Sequence, residues 1–266
     1  MPDALYLREG ERFVPTDLTI GPWSRDHCHA GPPAALLTTE ICRLAPAMDM
    51  TRITFDIPGA IPKLPCHVET KTLRTGRRIK HIGASLIGTD GTPYMHASAW
   101  LMRKLDDGSP KTEHPSRTPH PIDESEPVPL DVWNGLIDYG SQAIEMRVAA
   151  GSPFGGGPST CWFRLLRPLI EGETTDGFAR AAALCDFANG VSAVEPFSEL
   201  IAINTDLTIY LSRRPVGEWI ALDSRTNSSG LGLGMTDSLV YDASGFVGTT
   251  NQSIFFDRVE PPGTNT

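Results

Sequence analysis

An internal repeat limits the architectures open to this 266-residue chain. A constant offset of 154 residues aligns Thr51 with Thr205, Gly76 with Gly230 and Gly91 with Gly245. Each aligned stretch holds four strand-like runs separated by turn residues, as in antiparallel strands joined by hairpins. The runs are 51–57, 66–75, 78–88 and 93–103 in the first half, and 206–213, 218–228, 233–243 and 246–257 in the second. Because strands and turns repeat together, the pattern predicts two copies of one folding unit.

An apolar helix is predicted ahead of each set of strands. The first covers 31–45, with Pro32 and Pro33 near its start and apolar residues around most of its circumference. The second is a run of small and apolar residues over 178–184, which Asp176 can cap. A helix that is apolar nearly all round needs a sheet curved about it. The predicted fold class is therefore α+β, a tandem or double hotdog in which each long helix is wrapped by an antiparallel sheet.

The segment 104–130 separates the two predicted units. It is dense in proline, serine and charged residues and has no apolar period, so it predicts neither a helix nor a core strand. We expect an N-terminal hotdog over 1–103, a linker over 104–130 and a C-terminal hotdog over 131–266. The two units should pack as a pseudo-dimer with their sheets side by side.

Charge and composition argue against several classes of function. The chain has 23 basic and 32 acidic residues, a net charge of −9, so neither a nucleic acid nor an anionic membrane is an expected partner. No apolar run reaches the ~20 residues of a membrane-spanning helix, and the sequence from Met1 lacks a basic stretch and apolar region of the secretory type. A cytoplasmic location is expected. The five cysteines include no C-x-x-C pair, which predicts free thiols and no metal site.

Several short motifs carry a resemblance to a known family. In the first half they are His29-Ala30-Gly31-Pro32-Pro33-Ala34-Ala35-Leu36-Leu37, Val68-Glu69-Thr70 and Met95-His96-Ala97-Ser98. In the second half they are Asn204-Thr205-Asp206-Leu207-Thr208, Arg214-Pro215, Gly217-Glu218-Trp219, Arg225-Thr226, Asp242-Ala243-Ser244-Gly245 and Asn251-Gln252-Ser253. In these motifs and their order the chain resembles the double-hotdog acyl-CoA thioesterases of type II, in particular a branch common in actinobacteria. The resemblance implies hydrolysis of acyl-CoA to a free acid and CoA, no cofactor, and a homodimer of chains.

The family's catalytic set is an Asp, a Thr and a Gln that together hold the attacking water. The resemblance places this set at Asp206, Thr226 and Gln252. A carboxylate can accept the proton of the water, and an amide and a hydroxyl can orient it. The developing oxyanion would be stabilised at the start of the first helix, where we expect His29, Ala30 or Gly31 to supply the hydrogen-bond donor.

The repeat predicts one working site per chain. The 154-residue offset places Arg52, Thr72 and Ser98 where the second half has Asp206, Thr226 and Gln252, so the first half lacks both the acid and the amide. The first half would then serve as a structural partner of the second.

Two other functions remain open at this level. Asp26 and His29, close to the predicted helix start, could add water across an enoyl thioester, as hotdog hydratases do with an Asp and a His. Alternatively, the chain could bind acyl-CoA without turning it over. Basic residues near two hairpins are candidate contacts for the CoA phosphates: Arg77, Arg78, Lys80, Arg213 and Arg214.

Overall fold

The architecture was determined from a computed structural model, which describes residues 3–105, 109–112, 119–131 and 134–259. The strands are β1 (Tyr6–Glu9), β2 (Arg12–Pro15), β3 (His27–Cys28), β4 (Asp49–Asp56), β5 (Ile61–Pro62), β6 (Cys66–Arg74), β7 (Ile79–Gly88), β8 (Pro93–Met102), β9 (Glu126–Val128), β10 (Ile144–Gly151), β11 (Ser159–Leu165), β12 (Leu200–Asn204), β13 (Asp206–Leu211), β14 (Trp219–Ser228), β15 (Leu233–Asp242) and β16 (Gly245–Arg258). The α-helices are α1 (Gly31–Arg43), α2 (Gly177–Cys185) and α3 (Ala188–Val191). Short 3-10 turns cover Asp17–Thr19 and Ile122–Glu124, and a π-helical turn covers Tyr139–Ala143.

One continuous sheet carries both halves of the chain. Its strand order is β1-β2-β6-β7-β8-β4-β13-β16-β15-β14-β11-β10-β9, with β12 paired to β16 beside this path. The two halves of this order correspond: β4, β8, β7 and β6 in the first half match β13, β16, β15 and β14 in the second. β4 and β13 lie side by side at the centre. There Thr54 lies opposite Thr208, exactly one repeat offset of 154 residues away, and their hydroxyl groups are 3.1 Å apart. An approximate twofold axis therefore passes between these two threonines and relates the two halves.

The offset falls by one residue in the last strand of the repeat. Ile82 pairs with Ala99 in the first half, and Thr236 pairs with Gln252 in the second. Ile82 and Thr236 are 154 residues apart but Ala99 and Gln252 only 153, because the hairpin before β16 is one residue shorter than the one before β8. The position that corresponds to Gln252 is therefore Ala99, and the expectation of Ser98 is wrong.

Part of the predicted linker forms regular structure. Residues 106–108 and 113–118 of the expected 104–130 segment lie outside the described residues. Near the C-terminal end of this segment, β9 pairs with β10 as an edge strand. Ile122 packs beside Trp162, whose indole N–H donates to His120 O at 2.8 Å. Prolines are compatible with an edge strand, where no full ladder of hydrogen bonds is required. The sheet thus includes part of the segment expected as a linker.

The helices lie on the buried face of the sheet and pack closely on one another. α1 is buried along most of its length, and α2 is almost wholly enclosed. Asp176 caps α2 by accepting a hydrogen bond from Phe178 N–H at 2.8 Å, as predicted. Gly31 allows the close approach of the helices, since a Cβ atom there would lie 2.3 Å from Ala183 O. Within the described residues, no helix combines the length and apolar character needed to cross a membrane.

Candidate active site

A buried carboxylate lies where the second helix is interrupted. α2 ends at Cys185, α3 begins at Ala188, and Asp186 stands at the C-terminal cap between them. Its side chain is only 4% exposed. A buried carboxylate is costly unless it is hydrogen-bonded, so its partners define the site.

Two amide side chains from the sheet hold Asp186. Asn204, the last residue of β12, donates from Nδ2 to Asp186 Oδ1 at 2.9 Å. Gln252 of β16 is 1% exposed and donates from Nε2 to the same oxygen at 3.4 Å. Its Oε1 accepts from the Asn189 backbone N–H at 3.1 Å, which fixes the orientation of the amide. The carboxylate and both amides are thus brought together by one turn and two strands of the second half.

The first half contributes an imidazole to the same cluster. His29 Nδ1 lies 3.0 Å from Asp186 Oδ2 and 3.1 Å from Gly31 N, at the start of α1. The His29 ring stacks on Phe187 with centroids 4.7 Å apart and lies 5.0 Å from the ring of Tyr139. The site therefore spans both halves of the chain.

The carboxylate affects its titratable neighbours. Burial, and then the charge of Asp186, raises the pKa of Tyr139 well above its ordinary value. Tyr139 therefore stays protonated and donates to Ala183 O at 2.9 Å. The pKa of Cys185 is raised by the same two causes, which keeps this thiol neutral.

The predicted base, Asp206, lies elsewhere. Its Oδ1 accepts a hydrogen bond from Ser253 N–H at 2.7 Å at the start of β13. Leu207 and Ile209 point into the core, so strand alternation places Asp206 on the opposite face of the sheet from the helices and from Asp186. Among the described residues, no hydrogen bond joins the side chains of Asp206 and Gln252, its predicted partner.

Thr226 belongs to a separate chain of hydroxyl groups. Its Oγ1 lies 2.6 Å from Ser192 Oγ and 2.7 Å from Thr236 Oγ1. Ser192 in turn donates to Ala188 O at 2.8 Å, at the end of α3. In the described part of the chain, no hydrogen bond connects Thr226 to Asp186.

Sequence reasoning missed Asp186 and Asn204. Asp186 lies within a largely apolar run from Phe178 to Val191, just beyond the helix predicted over 178–184. A charged residue inside such a run is rare unless it is paired, and this was the signal that could have found it. Asn204 gave no comparable signal, because an Asn before a strand usually bonds to its own backbone.

Two of the candidate basic contacts for CoA are used within the fold. Arg213 binds the fully buried Asp242 through two nitrogens at 2.5 and 2.6 Å. Arg214 pairs with Asp176 and Asp49 and lies over the Phe178 ring. These ion pairs connect the segment after β13 with the end of β15, the start of β4 and the N-terminus of α2. No metal-binding cluster of His, Cys, Asp and Glu occurs among the residues that the structure describes.

Two clefts lie away from Asp186, in the second half of the sheet. One, of about 550 Å³, is lined by Trp162, Trp219, Arg147 and Arg164 beneath the 119–123 segment. The other, of about 570 Å³, runs along 127–131 and β10. Neither is lined by a residue of the Asp186 cluster.

Two family models match the chain. The acyl-CoA thioesterase N-terminal domain matches residues 19–102, and the acyl-CoA thioesterase C-terminal domain matches residues 113–256. No curated protein matches the sequence significantly.

Solved structures show the fold. A protein described as a thioesterase II from Thermobifida fusca YX superposes with a TM-score of 0.73 at 14% identity, over 95% of each chain. A conserved protein with a hotdog fold from Alicyclobacillus acidocaldarius gives 0.71 at 18% identity, over 97% of each chain. An acyl-CoA thioesterase II from Mycobacterium marinum gives 0.62 at 15% identity, over 96% of this chain and 95% of the other. The fold is that of the hotdog proteins, and by its domain matches the chain belongs to the acyl-CoA thioesterase family and is a thioester hydrolase.

Proposed function

We propose that the chain hydrolyses acyl-CoA thioesters at the cluster formed by Asp186, Asn204 and Gln252. The observation that carries this proposal is the buried Asp186 carboxylate, which receives hydrogen bonds from both amides. The family's set includes an Asp, a Thr and a Gln. In this chain Asp186 takes the place assigned above to Asp206, and Asn204 takes the place assigned to Thr226.

The cluster supplies what thioester hydrolysis needs. A water must lose a proton as it attacks the carbonyl carbon, and the Asp186 carboxylate provides the negative charge that favours this transfer. The two amides hold the carboxylate in one orientation, which lowers the cost of reorganisation during the reaction. The acyl carbonyl would lie between this water and the start of α1.

Gly31 is the donor best suited to the developing oxyanion. Pro32 and Pro33 have no N–H, and Ala34 N–H already donates to Ala30 O at 3.0 Å. Gly31 N–H lies at the positive end of the helix dipole and donates to His29 Nδ1 at 3.1 Å, a hydrogen bond that the substrate oxyanion would replace. A preorganised donor of this kind contributes about 3 kcal/mol to transition-state stabilisation.

The same arrangement supports a double hotdog with one site. Met50 and Ala99 stand at the positions related to Asn204 and Gln252 by the sheet register. Neither side chain can donate a hydrogen bond to a carboxylate. The first half therefore lacks the amide pair and supplies His29 and the start of α1 to the site of the second.

The decisive test compares Asp186→Asn with Asp206→Asn. Thiol release would be followed for the wild type and both variants on acyl-CoAs of increasing chain length, with branched and aryl examples. We expect Asp186→Asn to lose about 10²–10⁴-fold in kcat, and Asp206→Asn to retain activity, with both folded by circular dichroism. Loss only in Asp206→Asn would place the essential carboxylate on the opposite face of the sheet.

Hydration of an enoyl thioester is the second candidate. The observation favouring it is the pairing of His29 with a carboxylate, although the partner is Asp186 and not the expected Asp26. Loss of the conjugated enoyl absorbance without thiol release would support hydration. Thermal stabilisation by acyl-CoA with neither reaction would support a protein that only binds.

A further inference from the structure

We infer that His29 is the catalytic base of the proposed hydrolysis, with Asp186 as the residue that orients it. The inference rests on the proposed function and assigns the proton transfer to His29, with Asp186 holding the imidazole in place. It assigns a proton-accepting role to a residue of the first half, whereas the sequence suggested His29 only as an oxyanion donor or a hydratase residue.

The first argument is the number of donors on Asp186. Oδ1 accepts from Asn204 and Gln252, and Oδ2 faces His29 Nδ1 at 3.0 Å. Both oxygens therefore already have protein partners and the side chain is 4% exposed, so little of the carboxylate is left to meet a water. Its interactions suit it to hold a donor in place.

The second argument is the state of His29 Nδ1. This nitrogen cannot both accept from Gly31 N–H and donate to Asp186 at the same time, although both lie near 3 Å. An unprotonated nitrogen facing a carboxylate oxygen would place two lone pairs together, so the carboxylate favours a proton on Nδ1. The lone pair of a neutral imidazole then lies on Nε2, and Gly31 N–H is released to bind the substrate carbonyl.

The third argument is accessibility. The His29 side chain is 14% exposed and that of Asp186 4%. No protein hydrogen bond to His29 Nε2 is present within the described ranges. The groups that face the imidazole are the Asp186 carboxylate, the neutral Tyr139 and the ring of Phe187. Nε2 is therefore the atom of the pair that can meet a water.

The reaction balances with these groups alone. The water oxygen bonds to the thioester carbon, its O–H bond breaks, and the proton moves to His29 Nε2 while the carbonyl π electrons move to oxygen. The imidazolium is stabilised by Asp186. When the tetrahedral intermediate collapses, the C–S bond breaks and the proton passes from Nε2 to sulfur, which yields the acid and the thiol.

The test uses two substitutions of His29 in the full chain. His29→Asn keeps a side-chain N–H that can reach Asp186 but removes the titratable nitrogen, and His29→Ala opens space for added imidazole. We expect both to lose about 10²–10⁴-fold in kcat/KM. The pH profile of kcat/KM should differ between the wild type and His29→Asn. Added imidazole should raise the rate of His29→Ala in proportion to its unprotonated fraction.

The controls separate this inference from the proposed function. His67→Asn, on an exposed strand, should keep the wild-type rate and pH profile. If Asp186→Asn is inactive while His29→Asn matches the wild type, or if imidazole leaves His29→Ala unchanged, the base is not His29 and the proposed hydrolysis stands. If Asp186→Asn is fully active, the proposed site itself is wrong.

Discussion

At the scale of single residues, the site depends on buried polar groups that satisfy one another. Asp186, Asn204 and Gln252 are separated in sequence, yet both amides donate to the same oxygen of the Asp186 carboxylate. Gln252 was predicted from the resemblance to the family, and its buried amide does find partners, in Asp186 and the Asn189 backbone. The partners of Asp186 could be assigned only once its neighbours in space were known.

The substitution Asn204→Leu tests this dependence. It keeps a side chain of similar size but removes the donor 2.9 Å from Asp186 Oδ1. A hydrogen bond to a charged group is worth about 1.5–3 kcal/mol, which corresponds to a loss of about 10–150-fold in kcat/KM. Steady-state thiol release measures the effect, and Asn227→Leu, at an exposed strand position, is the matched control. Equal rates for the two variants would remove Asn204 from the site.

At the scale of elements, the start of α1 sets the position of the proposed catalytic groups. Gly31 packs on Ala183 of α2, three residues before Asp186, and follows His29 by two. The sequence predicted this helix to within two residues of its end, from its prolines and apolar surface. It did not predict β1, β2, β10 or β12, which are short or lack clear alternation.

The substitution Gly31→Ala should disturb both packing and catalysis. The added Cβ would lie 2.3 Å from Ala183 O, so the helices must separate. Overpacking of this kind costs about 1–3 kcal/mol in unfolding free energy. We expect a lower Tm and a larger loss of kcat/KM than the stability change explains, measured by thermal denaturation and thiol release. Gly59→Ala, where a Cβ meets no atom within 4 Å, should change neither. A Gly31→Ala variant with wild-type Tm would contradict the packing argument.

At the scale of the whole molecule, pseudo-symmetry holds for the sheet and fails at the site. β4 and β13 pair about the Thr54–Thr208 axis and join the halves into one sheet. The position of Asn204 is nevertheless taken by Met50 in the other half, and that of Gln252 by Ala99. His29 of the first half contacts Asp186 of the second half.

This asymmetry predicts one binding site per chain. Isothermal titration with a hydrolysis-resistant acyl-CoA analogue should give a stoichiometry of about one, because only the second half has the amide pair. Asp186→Leu should abolish turnover. In single-turnover experiments, this variant should show no slower hydrolysis from a second site. A stoichiometry of two with two turnover-competent sites would overturn the assignment.

The sequence by itself determined the repeat, the order of its strands, the two apolar helices and the membership in a hydrolase family, because these follow from periodicity, turn residues and motifs read along the chain. The hotdog fold expected from those patterns is confirmed by the structural relatives. Only the tertiary structure decided that Asp186 meets His29, Asn204 and Gln252, while Asp206 lies on the other face. A change of one residue in register exchanges the two faces of a strand, and the length of one hairpin and the docking of α1 on α2 set that register and contact. These are properties of packing, and no local pattern in the sequence reports them.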